Sequence, residues 1–177
     1  MKRQVMVLLV LCGIGLASCG GGGGATATSA VSNLDADVAK WTGTPCATGA
    51  TYTVLPDDVT VTLKAFPVAT GNGTVTEKVQ VNSVDIVYTP ANTTSPPLPA
   101  QYMALGGIVA DMGSSVSIPV RVAPQDLKNS PVLSALVCSP TIYTYYVTMT
   151  FHCQYLKAGD TFDVPAQTNI RFADFAN

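Results

Sequence analysis

A chain of 177 residues is long enough for one domain with its own core, and short enough that a single disulfide would matter to its stability. Only 11% of the residues are charged and the formal net charge is −2, with no basic stripe, which argues against nucleic acid as a partner. Val, Thr, Ala, Gly and Pro dominate, a composition that favours half-buried strands and tight turns over long helices.

Lys2 and Arg3 open the chain with positive charge, and an apolar run from Val5 to Leu16 follows, interrupted at Cys12, Gly13 and Gly15. A helix needs about 20 residues to cross a bilayer. The shorter run fits the apolar region of a secretory signal peptide. It ends in Leu16-Ala17-Ser18-Cys19. This tetrapeptide resembles the lipobox of bacterial lipoproteins, in which a branched apolar residue and two small ones precede the modified cysteine. The resemblance implies a signal peptide over 1–18, diacylglycerol on Cys19, and acylation of the new amino terminus. Loss of Lys2 and Arg3 takes the formal charge from −2 to −4. Each buried methylene contributes about 0.8 kcal/mol, so several acyl chains on one residue make a lasting membrane anchor. In the family, an aspartate after the cysteine retains the protein at the inner membrane. Gly20 stands there instead, so the resemblance points to the outer membrane, on its periplasmic or cell-surface side.

Residues 19–33 read as the lipidated cysteine and a tether: five glycines, then Ala25-Thr26-Ala27-Thr28-Ser29, offer little from which to build a core. About 14 flexible residues at roughly 5–6 Å × √n would hold the domain about 20 Å from the lipid. Residues 34–50 are expected as an N-terminal segment with a short helix, because Asn33 can cap it and Leu34, Val38 and Trp41 follow at helical spacing.

From Thr51 to the end the pattern is period two, punctuated by Pro, Gly and Asn. Val59, Val61, Leu63 and Ala65 alternate with Thr60, Thr62 and Lys64. Val75, Glu77, Val79 and Val81 keep one parity, and Val84, Ile86 and Tyr88 take the other, so Asn82-Ser83 marks a β-bulge or a strand break. Val116, Ile118, Val120 and Val122 form another run. The longest places Tyr143, Tyr145, Val147, Met149, Phe151, Cys153 and Tyr155 on one face, with Thr144, Tyr146, Thr148, Thr150, His152 and Gln154 on the other. A last strand carries Phe162 and Val164 and resumes at Ile170 and Phe172. Turns are expected at Gly71-Asn72-Gly73, Pro96–Pro99, Gly113-Ser114-Ser115 and Ala158-Gly159-Asp160, with a helical turn near Pro124–Asn129.

About seven strands with such turns predict an all-β fold, an antiparallel sandwich over 51–177. The strand rhythm, the segment Val84-Asp85-Ile86-Val87-Tyr88-Thr89-Pro90 and the terminal hairpin resemble the small immunoglobulin-like domains of bacterial envelope lipoproteins. The Cys…Trp…Cys order of antibody domains is not there, since Trp41 precedes Cys46, so the resemblance concerns architecture.

Cys46, Cys138 and Cys153 are candidates for one disulfide in an oxidising compartment, with one thiol left over. A continuous strand from Thr141 to Cys153 would span about 40 Å, which separates Cys138 from Cys153. Cys46 is then the partner of one of them. The immunoglobulin-like topology implies Cys46–Cys153, and the alternative is a buried Cys153 thiol.

The sequence carries no catalytic signature. His152 is the single histidine and reads as a solvated residue on the polar face of its strand, and the acids fall mostly in turns. A blue-copper site needs two histidines, zinc a further donor, and calcium a D-x-D-x-D-G loop, so neither metal nor cofactor is expected. Tyr143, Tyr145, Tyr146 and Tyr155 are the candidate binding surface, with the core as the competing fate of the odd-numbered members. The expected role is that of a non-enzymatic structural or protein-interaction module, held at the membrane through Cys19 and meeting another envelope protein. The alternative is a module that binds carbohydrate or a metal.

Overall fold

The computed structural model describes residues 24–70, 73–75 and 77–175, so the expected signal peptide and Cys19 lie outside the described residues. In chain order the strands are β1 (Ala25–Ser29), β2 (Asn33–Asp37), β3 (Lys40–Thr42), β4 (Thr51–Thr53), β5 (Asp57–Ala65) and β6 (Val68–Thr70). They continue with β7 (Gly73–Val75), β8 (Val79–Pro90), β9 (Gln101–Ala110), β10 (Ser115–Ala123), β11 (Tyr143–Tyr155) and β12 (Thr161–Ala173). Two helical turns, α1 (Gln125–Lys128) and α2 (Pro131–Ser134), precede β11. The fold is all-β. A three-stranded sheet ordered β1-β5-β10 faces a five-stranded sheet ordered β2-β12-β11-β8-β9, and β3-β4 and β6-β7 are separate hairpins.

Alternation decides what lies between the sheets. Val59, Val61 and Leu63 of β5 and Ile118, Val120 and Val122 of β10 are buried from one side. From the other come Val84 and Ile86 of β8, Val147, Met149 and Phe151 of β11, and Ile170 and Phe172 of β12. Full burial of each such side chain contributes about 1.5–3 kcal/mol. The parity change at Asn82-Ser83 is a bulge: Ser83 pairs with His152 and Val81 with Cys153, so Asn82 is the extra residue. Both Val81 and Val84 therefore point inward. On the other side of β8 the register also slips, between Val81 opposite Ile108 and Ser83 opposite Ala104. The slack is taken up by Gly106 and Gly107, at φ +65° and +78°. A Cβ on Gly107 would stand 3.0 Å from the Gln80 amide nitrogen.

The N-terminal part departs from expectation. Ala25–Ser29 is not tether but an antiparallel partner of β5, with Ala25 and Ala27 packed on the core and Thr26 and Thr28 exposed. Residues 34–37 form no helix. They belong to β2, which runs parallel to β12 from Asn33 opposite Asn169 to Asp37 opposite Ala173. Leu34, Ala36 and Val38 also stand at period two, and the open edge of β12 offers ladder hydrogen bonds that a single helical turn cannot match. Between the two strands the chain changes sheets within three residues, held by Ala30 N–H on Thr60 O at 2.9 Å and Asn169 N–H on Ser32 O at 3.1 Å. The last run is one uninterrupted strand of 13 residues, longer than the two pieces expected.

One charge is buried in this frame. Lys128, at the end of α1, is 2% exposed. Its ammonium donates to Asp37 O at 2.6 Å, Leu55 O at 2.6 Å and the Asp57 carboxylate at 2.5 Å. Three donors meet three acceptors from three segments, so the group is fully satisfied. Beside it Ser130 caps α2, accepting from Leu133 N–H, and Pro131 occupies the first turn. Leu127, Leu133 and Leu136 close this end of the core.

Lys128→Ala leaves Asp57 and two carbonyls without their donor, and is expected to cost about 3–5 kcal/mol in urea unfolding. Lys64→Ala, on an exposed site of β5, is expected to stay within about 0.5 kcal/mol.

Candidate functional site

β11 has β12 on one side and β8 on the other, so its outward residues sit in rows that cross three strands. His152 lies opposite Asp163 of β12 and Ser83 of β8, with Asp85 one step along. The imidazole bridges the two acids: Nδ1 is 2.8 Å from Asp163 Oδ1, and Nε2 is 2.9 Å from Asp85 Oδ2. A carboxylate only accepts, so the two bonds form together only in the imidazolium state, in which both ring nitrogens donate. The hydrogen bond to Asp85, then that to Asp163, raises the His152 pKa above its ordinary 6.5, against a smaller opposing effect of burial. The side chain is 39% exposed on the polar face of β11 and stands in the middle of a cross-strand row that its sequence neighbours do not reveal. With both nitrogens occupied, neither lone pair is free to take a proton from a nucleophile. The two carboxylates meet opposite edges of the ring and do not converge on one point.

The same outer face carries four large exposed groups: Tyr102 (67%), Tyr146 (55%), Val87 (48%) and Val109 (43%). Tyr102 pairs with Asp85, and Val87 stands opposite Thr148. Tyr146 lies between Thr89 and Asn169. The tyrosine cluster expected as a binding surface is divided by parity. Tyr145 is in the core, edge-on to Tyr88 and Phe172, with its hydroxyl donating to Pro96 O at 2.8 Å. Burial pushes that hydroxyl up to about 12. Tyr155 is buried against Phe162, and its hydroxyl accepts Gly24 N–H at 2.8 Å. Tyr143 is half-buried against the core, so only Tyr146 of the four is exposed.

The disulfide joins Cys46 to Cys138, with Cα atoms 5.7 Å apart, and not Cys46 to Cys153. Cys153 falls on the inner face of β11, where burial pushes its thiol up to about 12. Cys46 and Cys138 lie in loops at the end of the sandwich where β12 finishes. Asp174, just beyond β12, ties the corner together: one carboxylate oxygen accepts Trp41 Nε1–H at 2.9 Å, the other Cys138 N–H at 2.7 Å. That second oxygen is 3.8 Å from Cys46 Sγ. Trp41 packs on Tyr52 at 5.0 Å across the β3–β4 hairpin. Gly24 marks the opposite end, where its carbonyl accepts Phe66 N–H and the β11–β12 turn lies.

No protein family, curated protein or solved structure matches the chain.

Because the folded-state pKa of His152 lies above 6.5, its bridge contributes fully below pH 6.5 and is lost as pH rises through the raised value. Denaturant midpoints should therefore fall over that window above pH 6.5 in the native protein, and His152→Gln should flatten this part of the profile. In native protein Cys153 should resist iodoacetamide at pH 8 while unfolded protein is alkylated there, as peptide mass spectrometry would show.

Proposed function

We propose that this chain is an outer-membrane lipoprotein whose single immunoglobulin-like sandwich serves as a non-enzymatic interaction module of the cell envelope. Leu16-Ala17-Ser18-Cys19 supports the anchor, and Gly20 to Gly23 the spacer. Two facing sheets of three and five strands, with β8, β11 and β12 side by side, fit the two-sheet plan of immunoglobulin-like domains. The observation that carries the interaction reading is the outer face of β9-β8-β11, where Tyr102, Val87 and Tyr146 expose apolar surface that nothing among the described residues covers. Tyrosine brings large area at small entropic cost and concentrates at protein interfaces. Gly24, which follows the spacer in the sequence, lies at one end of the sandwich, and the opposite end lies away from it, where another envelope protein would be met.

The test is photocrosslinking in intact cells from photoreactive residues placed at 102 or 146, against 64 on the three-stranded sheet. One recurrent envelope protein captured from 102 and 146, and not from 64, is the expected result. Capture of the same bulk porins and peptidoglycan from all three positions would overturn it.

A second reading, a carbohydrate-binding module, draws on the Tyr102 ring beside Asp85, since sugars stack on aromatic faces and donate hydroxyls to carboxylates. Glycan-array binding that disappears with Tyr102→Ala would move it ahead of the first.

A further inference from the structure

Among the described residues, the non-glycine positions with positive φ are Cys46 (+57°) and Cys138 (+59°), the two halves of the disulfide. Left-handed backbone is unfavourable for a residue with a Cβ and persists where the surroundings enforce it. Both cysteines are also exposed, in contrast to the core position of Cys153. A bridge that lies open to solvent and holds two strained residues is the kind that exchanges with thiols, unlike a bridge sealed in a core.

A third donor stands beside it. One ligand atom each from Cys46, Cys138 and Asp174 falls within 4.8 Å of the others. Asp174 is already positioned: Trp41 Nε1–H holds one oxygen, and the other accepts Cys138 N–H and stands 3.8 Å from Cys46 Sγ. A carboxylate fixed by an outer hydrogen bond is how proteins orient a metal ligand. We propose that Cys46, Cys138 and Asp174 form a two-state site at the end of the sandwich opposite Gly24, closed as a disulfide and, once reduced, open to Zn²⁺.

The chemistry balances in two steps. A dithiol reductant gives two electrons and two protons to the S–S bond and closes to its own disulfide, leaving two cysteine thiols. Zn²⁺ then displaces both thiol protons and is held by two thiolates, the Asp174 carboxylate and a water. At Zn–S distances of about 2.3 Å, tetrahedral geometry sets the sulfurs about 3.8 Å apart. Loops 43–50 and 135–142, which carry the cysteines, can supply that separation without disturbing the paired strands. Two thiolates and one oxygen suit zinc better than calcium or magnesium, which take oxygen ligands.

The test uses the full chain in detergent, carrying Cys12→Ser and Cys19→Ser so that no N-terminal thiol competes. Protein reduced with a phosphine under argon is titrated with Zn²⁺ against a chromophoric chelator, and with Co²⁺ for its thiolate charge-transfer band. Circular dichroism confirms that the β-fold persists. The expected result is one Zn²⁺ per reduced folded chain, none per oxidised chain, and a Co²⁺ spectrum of tetrahedral thiolate type. Trp41→Phe, which frees the outer carboxylate oxygen, should weaken Zn²⁺ about tenfold or more. Asp174→Ala should weaken it further, and Cys46→Ser should abolish the charge-transfer band. Equal Zn²⁺ binding by urea-unfolded chain, no binding by folded reduced chain, or full affinity in Asp174→Ala would each overturn the proposal.

Discussion

The structure depends on the pairing of β11 along both of its edges. Thirteen consecutive residues take extended backbone between β8 and β12, and every second side chain from Tyr145 to Tyr155 is buried. A slip of one residue would send Phe151 and Met149 to solvent and pull His152 into the core, so the register is fixed by the hydrophobic effect and not by any single hydrogen bond. The polar face follows from the same constraint. His152 meets Asp163 and Asp85 because β12 and β8 are each held to β11 in one register, and the bulge at Asn82 sets the offset that lets Asp85 reach the imidazole.

The ends of the sandwich are closed by other means. Where β12 finishes, the Lys128 ammonium joins the end of β2 and the start of β5 to the loop at Leu55, and the Asp174 carboxylate and the Cys46–Cys138 bridge tie the loops beyond. A disulfide spanning 92 residues removes a large loop entropy from the unfolded chain, while Lys128 replaces lost hydration with three short hydrogen bonds. Asp37 marks the cost of this crowding. Its carbonyl serves Lys128 while burial raises the pKa of its carboxyl. Along the sides, the step from β1 to β2 and the turn from β9 to β10 carry the chain from one sheet to the other.

Period two in the sequence was enough to locate β5, β8, β10 and β11 and their inward residues, because strong alternation of Val and Ile with polar residues has one reading. The parity change at Asn82-Ser83 marks a bulge or a strand break, which the pairing resolves as a bulge, and Pro96–Pro99 reads as a loop from the missing donors. Ala25–Ser29 reads as tether because alanine and threonine give a weak contrast, and only the open edge of β5 makes that alternation count. Leu34, Val38 and Trp41 suggested a helix, and the edge of β12 decided otherwise. Strand length correctly kept Cys138 from Cys153, but the partner of Cys46 depended on which face Cys153 takes. The row Asp85–His152–Asp163 joins residues from three strands, and Trp41–Asp174 is 133 residues apart in the chain. No local pattern carries such pairs. Registers do.

The functional reading also draws on a polarity of the molecule. Gly24, where the tether would enter, lies at one end of β11, and the disulfide corner and the exposed Ile142 lie at the other. Tyr146, near that far end, and Tyr102, near mid-strand, stand on the face between them. An anchored protein so built presents surface away from its attachment, which is what a module meeting an envelope partner requires. The most direct measurement is the distance between spin labels carried by unnatural residues at 158 and 142, read by pulsed electron resonance in the full chain. A single distribution centred at about 40 Å, the length of an extended β11, is expected. A main distance below about 25 Å would mean that β11 is not one continuous strand and that the two ends are not opposed.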